Sequence, residues 1–247
     1  MSWLQNHPFG VSAYFRKSLV LTYAVPADSL RPLLPDCLVP DLFQEHWGFV
    51  AIALVDTQHL RPTGFPSWMG RNFLLAGYRI FVRYTHPDGK RKRGLYILRS
   101  ETNRRSMVRL GNSFTHYRYH LQPLAWKITA DQWHIHSTQS DFNVLTTHGD
   151  AAAALPEGSP FSNWKEARRF AGPLPFTFTH LPKIPAVLWV EGVRNNWRPT
   201  PTTVLEHEVP FWNTLDLPTP QLASAFRVEQ VPYSWKKGVT ETLPTQL

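Results

Sequence analysis

Tyr78, Arg79, Arg99, Glu101, His116 and Arg118 lie within 72–122, a stretch that otherwise reads as apolar strands and turns. A guanidinium is a planar fork that grips a carboxylate or phosphate through two parallel hydrogen bonds, so arginines aimed into an apolar cavity hold an anion. Glu and His exchange protons near neutral pH once their surroundings tune them. Arg99, Arg118, Arg79 and Tyr78 are therefore the candidate ligand-binding residues, and His116 and Glu101 the best candidates for acid–base catalysis. A period of two along 94–102 puts Leu95, Ile97, Arg99 and Glu101 on one face, and along 115–122 it groups His116, Arg118, His120 and Gln122. If those faces meet inside the protein they form a polar floor for a small acid or carbonyl compound. If they face water they are an ordinary charge ladder between strands.

Other constellations are weaker. His134 and His136 share a strand face, as do His116 and His120, but no carboxylate follows at the spacing a metal-binding barrel uses, so no metal is expected. Glu206-His207-Glu208 alternates its imidazole away from both acids. Lys236-Lys237 is the only adjacent lysine pair and reads as a surface turn near the C-terminus. Gly111-Asn112-Ser113-Phe114-Thr115 lacks the second glycine of a nucleophile elbow. The lone Cys37 excludes an intrachain disulfide and reads as a small buried hydrophobe.

The elements that must position these groups are mostly strands. Tyr78–Thr85 and Gly94–Ser100 read as a hairpin joined by the charged turn 86–93, followed by a helix over 102–111 and a returning strand over 115–122. Before them, Ser18–Val25 starts the sheet, and Leu38–Gln44 with His46–Thr57 reads as another hairpin whose second strand is apolar on both faces. Leu60–Arg71, with Pro62, Gly64, Pro66 and Gly70, is a loop, but one carrying Phe65, Trp68 and Met69, as a lid, partner surface or barrel end does. After the block come short strands at 125–129 and 132–137, a turn-rich excursion at 149–160, and a helix capped by Ser162 and ended by Gly172-Pro173. Strands at 175–180, 186–192, 202–209, 222–228 and 234–238 finish the chain. Many strands and few short helices predict a mainly β (β-rich α+β) fold, a closed or nearly closed antiparallel barrel with appended helices in one domain spanning 1–247.

Composition supports that frame. Ten Trp and fifteen Phe, with 18% charged residues, describe a packed core, and 22 Pro suit irregular connections between strands. No apolar run reaches the ~20 residues of a membrane-spanning helix, and the first residues lack a signal-peptide pattern. With a single cysteine, this predicts a cytoplasmic protein that does not engage a membrane. The net charge of +8 is densest at Lys90-Arg91-Lys92-Arg93. That tip has no interleaved aromatic residues, so nucleic acid is not the expected partner. A small-molecule ligand is, and a homo-oligomer is compatible with the sequence.

Several runs carry a family resemblance. Pro26-Ala27-Asp28-Ser29-Leu30-Arg31-Pro32-Leu33-Leu34-Pro35, then 72–83, then Gly94-Leu95-Tyr96-Ile97-Leu98-Arg99-Ser100-Glu101, and finally 225–238 together resemble the YqjF-like family of bacterial proteins. That family is placed in the acetoacetate-decarboxylase-like superfamily. The resemblance implies a cone-shaped antiparallel β-barrel with a ligand cavity inside. The superfamily's enzymes form a Schiff base on a lysine that follows the short helix, activated by a lysine neighbour. Here that region reads Arg109-Leu110-Gly111-Asn112-Ser113-Phe114-Thr115-His116-Tyr117-Arg118, and no lysine occurs between Lys92 and Lys127. Schiff-base decarboxylation is therefore not expected, and no cofactor is called for. The leading reading is a barrel that binds a carboxylate or keto acid. The alternatives are an interaction protein using Leu60–Arg71 or the basic tip, and a lyase-like enzyme using His and Glu.

Overall fold

The computed structural model describes residues 3–150, 152–172 and 174–243; Met1, Ser2, Ala151, Pro173 and 244–247 lie outside it. In chain order the strands are β1 (Val11–Pro26), β2 (Val39–Pro40), β3 (Trp47–Pro62), β4 (Arg71–Thr85), β5 (Arg91–Thr102), β6 (Tyr119–Leu121), β7 (Leu124–Ile128), β8 (Gln132–Ser137) and β9 (Asn143–Thr147). They continue as β10 (Phe176–Leu181), β11 (Ala186–Arg194), β12 (Thr200–Pro201), β13 (Val204–Glu208), β14 (Gln221–Trp235) and β15 (Val239–Thr242). Helices α1 (Arg105–Phe114) and α2 (Trp164–Ala171) and four short 3-10 turns complete the set.

The large sheet runs β14-β1-β3-β4-β5-β10-β11, and β11 pairs back onto β14, so the strands form a ring. Every join in the ring is antiparallel except β5–β10, where Phe176, Thr177 and Phe178 run parallel to Gly94, Leu95 and Tyr96. The short β6 also lies parallel to β5. The expectation of a wholly antiparallel barrel is corrected at these two joins. The long connection through β7–β9 and α2 lets β10 approach β5 in the same direction, which a hairpin cannot do.

Alternation divides the ring strands into two faces. Leu19, Leu21 and Tyr23 of β1, Val50, Ile52 and Leu54 of β3, and Tyr78, Ile80 and Val82 of β4 point outward into the main core. There they meet Trp133, Ile135 and Val144 of a second sheet, ordered β13-β9-β8-β7, and Trp212 of a 3-10 turn. The intervening residues, among them Val20, Ala53, Val55 and Phe226, point inward. Both faces are thus covered, which is why β3 reads as an unbroken apolar run. One end of the ring is filled by α2, whose Ala167, Ala171 and Phe170 pack with Phe43, Phe49, Phe81 and Phe161. The rings of Phe49 and Phe161 stack at 5.2 Å. Helix α1 lies across the other end, beside β5 and β6.

The structure moves several expected boundaries. Residues 115–118 are not strand, and only Tyr119–Leu121 extends beside β5. Val39–Pro40 pairs with β4 instead of forming a hairpin with β3. Residues 222–238 hold one long strand, not two, and then enter β15. Helix α2 is capped by Asn163, whose side chain accepts the Glu166 amide at 3.0 Å. Glu166 in turn accepts the amide of Ser162, the residue before the cap, at 2.7 Å, so the helix is capped one residue later than expected.

Candidate functional site

The inner chamber is built by the inward face of the ring. Its volume is about 140 Å³, and its polar wall groups are Ser18, Arg79, Ser100, Tyr117, Tyr119, Thr177, Arg194, Trp197 and Tyr233. Among the described residues no Asp, Glu or Lys lines it. Arg79 projects from the middle of β4, two residues from Gly77. A Cβ at Gly77 would come within 3.2 Å of the Arg79 guanidinium, so the missing side chain is what gives the guanidinium room. Its one internal hydrogen bond is long, Nε to the Gly77 carbonyl at 3.4 Å. Arg194, at the end of β11, donates to the Tyr233 hydroxyl at 3.3 Å from the residue directly opposite on β14. Among the described residues neither guanidinium has a carboxylate partner. Burial is the main cause that draws Arg79 down to about 10, and the like charge of Arg194 adds to it. Even at that value Arg79 is cationic at neutral pH. Two further donors face the chamber unpaired: the indole N–H of Trp197, and the Tyr117 hydroxyl, which lies near Thr177 without a well-formed hydrogen bond. Burial pushes the Tyr117 phenol far up, so it remains a neutral donor.

A second chamber of about 200 Å³ lies at the α1 end. Leu75, Tyr117, Tyr119 and Trp235 are walls of both chambers. The ring of Tyr119 presses against Gly111 of α1, where a Cβ would collide at 2.3 Å. That glycine is what lets the helix close over the ring. His7, 6% exposed, lines this chamber, and its Nε2 has no partner among the described residues. Burial, and secondarily the nearby His116, lower its pKa to about 4, so its imidazole is neutral.

The sequence candidates fall into separate places. Arg79 is in the inner chamber. Arg99, Glu101 and Tyr78 are together, but on the outer face. The cause is a β-bulge: Tyr78 pairs with Arg99 whereas Arg79 pairs with Ile97, leaving Leu98 as an extra residue. Past the bulge the facing inverts, so Leu95 and Ile97 point inward and Arg99 and Glu101 outward. The one-face reading of Leu95, Ile97, Arg99 and Glu101 is corrected by that single residue. Outside, the Glu101 carboxylate accepts the Tyr78 hydroxyl at 2.9 Å and pairs with Arg99 at 3.0 Å. The Arg99 guanidinium stands over Phe211, 5.5 Å from the ring centre. His116 bonds Asn6 at 2.9 Å through Nε2. Arg118 is exposed, with a φ of 52° that turns the chain toward β6. These two do not join Arg99 and Glu101 in one floor.

Several other cationic groups have structural partners. Arg83 and Arg93 both bond the fully buried Asp41. Lys92 sits 3.8 Å over the Trp189 ring, and Lys90 pairs with Asp88 at 3.1 Å. Lys236 bonds Glu191 at 2.8 Å on the surface. Sequence reasoning misses Arg194, Tyr233, Trp197 and His7. Arg194-Asn195-Asn196-Trp197, an arginine at the end of an apolar strand, is the signal that points to the first of them.

A family model, DUF2071, described as an uncharacterized conserved protein, matches residues 12–229. No curated protein matches the chain by sequence. Among solved structures, the acetoacetate decarboxylase of Legionella pneumophila superposes with a TM-score of 0.61 at 12% identity, over 98% of this chain and 91% of that one. The enduracididine biosynthesis enzyme MppR complexed with pyruvate gives 0.57 at 10% identity, over 94% and 90%. An acetoacetate decarboxylase-like enzyme from Sphingomonas wittichii RW1 gives 0.54 at 12% identity, over 96% and 93%. These likenesses establish an acetoacetate-decarboxylase-like, β-rich fold.

Proposed function

The chain belongs to the DUF2071 family, and from that premise we propose that it binds a small carboxylate, of the keto-acid kind, inside its ring. The observation that carries the reading is the pair Arg79 and Arg194, two cations facing one chamber whose wall holds no carboxylate among the described residues. A buried guanidinium without a counter-ion is costly, and an anionic ligand that supplies two oxygens offsets that cost. Pyruvate bound to MppR, a protein with a related fold, supports the ligand class. With no lysine among the described residues of either chamber wall, a Schiff base is not part of the proposal. Any turnover rests on proton transfer by Tyr117, which lines both chambers, or by His7, which lines the second, in place of His116 and Glu101. The YqjF-like assignment within the family and a cytoplasmic setting belong to the same reading. Among the described residues no helix is long and apolar enough to cross a membrane.

A thermal-shift screen with pyruvate and other small carboxylates tests it: stabilisation by at least one, lost in Arg79→Met, is the expected result. Stabilisation by none refutes ligand binding, and borohydride trapping of a keto acid on a lysine refutes the absence of a Schiff base. One observation favours a second reading, an interaction surface on the 60–71 loop: Phe65, Trp68 and Met69 there are 50%, 80% and 47% exposed. Trp68→Ser eliminates a self-association or pull-down partner if that surface is the functional one. The basic tip fits an interaction role less well, because Lys90, Lys92 and Arg93 are held by Asp88, Trp189 and Asp41.

A further inference from the structure

The chamber at the α1 end has a chemistry the inner one does not. Its walls are Phe9, Leu60, Phe73, Met107, Leu110 and Phe114, with arginine only at the rim, as Arg61 and Arg71. Arg61 is engaged by backbone carbonyls, Nε on Phe65 and Nη1 on His59, each at 2.8 Å. His7 contributes a neutral ring packed against Tyr117 at 5.0 Å. Leu75, Tyr117, Tyr119 and Trp235 line both chambers and stand between them, and among the described residues the Tyr117 hydroxyl, near Thr177, makes no well-formed hydrogen bond. Small-molecule sites generally occupy ~300–1,000 Å³. Neither chamber reaches that alone, at about 200 and about 140 Å³, whereas the two joined do.

We infer that the ligand is an amphipathic monocarboxylate, with its anionic head between Arg79 and Arg194 and an apolar tail of several carbons running past Tyr117 into the chamber under α1. The inference rests on the carboxylate reading above and adds the tail to it. A three-carbon keto acid leaves the outer chamber unfilled, and apolar walls enclosed on this scale gain from every methylene that replaces water. The neutral His7 adds no charge to that wall.

The test is a calorimetric titration of the full chain with straight-chain 2-oxo acids from pyruvate to 2-oxodecanoate, and with one ω-dicarboxylate of matched length. The expected result is a Kd that falls about two- to fourfold per added methylene and then levels off when the chamber is full. Leu110→Glu, at a position 40% exposed, flattens the series; Phe9→Ser, at one 37% exposed, is the second variant if the first does not fold. Pyruvate binding that depends on Arg79 with no gain along the series overturns the tail and leaves the carboxylate site standing. Binding by no member of the series, pyruvate included, overturns both. A gain that survives Leu110→Glu and Arg79→Met alike is adsorption and overturns the tail. Tighter binding of the dicarboxylate than of its monocarboxylate partner assigns Arg61 and Arg71 a second head group and overturns it too.

Discussion

Arg79→Met should make the empty protein more stable and the ligand weaker, two effects of opposite sign from one substitution. Arg79 has a long contact to the Gly77 carbonyl, at 3.4 Å, and burial draws its pKa down to about 10 from an ordinary 12.5. A lowered value on a base means that the fold disfavours the charged form. At ~1.4 kcal/mol per pH unit, keeping Arg79 charged in place costs the fold about 3 kcal/mol at neutral pH. Methionine keeps much of the length, adapts to an irregular site and carries no charge. The pKa of about 10 already includes the attraction of the neighbouring Tyr233 and Tyr117 for the guanidinium. The shorter methionine gives up ~1–2 kcal/mol of packing, so the net stabilisation is about 1–2 kcal/mol, or a melting temperature ~2–8 °C higher for a domain of this size. A hydrogen bond to a charged group contributes ~1.5–3 kcal/mol, so the Kd for pyruvate should rise about 10- to 150-fold. Denaturant unfolding of both proteins, with and without pyruvate, measures both effects. A variant that is less stable when empty, and that pyruvate still stabilises as it does the parent, refutes the idea that Arg79 is held unpaired for an anion.

Three further outcomes follow from groups around the ring. Tyr78→Phe leaves the buried Glu101 without the 2.9 Å hydroxyl bond and should cost ~1.5–3 kcal/mol by denaturant unfolding, with pyruvate affinity unchanged because the pair is outside the ring. Asp41→Asn strips two guanidiniums, 37% and 35% exposed, of their carboxylate and should cost ~1.5–3 kcal/mol in the same assay. His7 has a folded pKa of about 4 against an ordinary 6.5, so its contribution is complete above pH 6.5 and is lost as pH falls through 4. Unfolding free energies of His7→Gln measured from pH 7 to 4 should therefore fall less steeply than those of the parent, by up to ~3 kcal/mol across the window. His116, also lowered by burial, supplies part of the slope that remains.

The fold was legible because its signal is redundant: β3, apolar at nearly every position, demands cover on both faces, and a closed, clad sheet provides it. The parallel β5–β10 join was not legible, since pairing direction depends on where a long connection ends and not on either strand's pattern. Arg79 could be named from its type and place, but its neighbours could not. Arg194 and Tyr233 sit far downstream in the chain and meet Arg79 only when β11 closes on β14. Arg99 and Glu101 show how one residue misleads, because the extra Leu98 reverses their facing and nothing in its chemistry announces it. His116 and Arg118 have the alternation of a strand that the chain does not form there, since the positive φ of Arg118 breaks the extended run.

The most direct test of the anion site is a crystal structure of the protein soaked with pyruvate. The account predicts carboxylate oxygens within ~3 Å of the guanidinium nitrogens of both Arg79 and Arg194, inside the ring. A ligand bound instead at Arg99 and Arg118 on the outside, at the 86–93 tip, or on a lysine contradicts it.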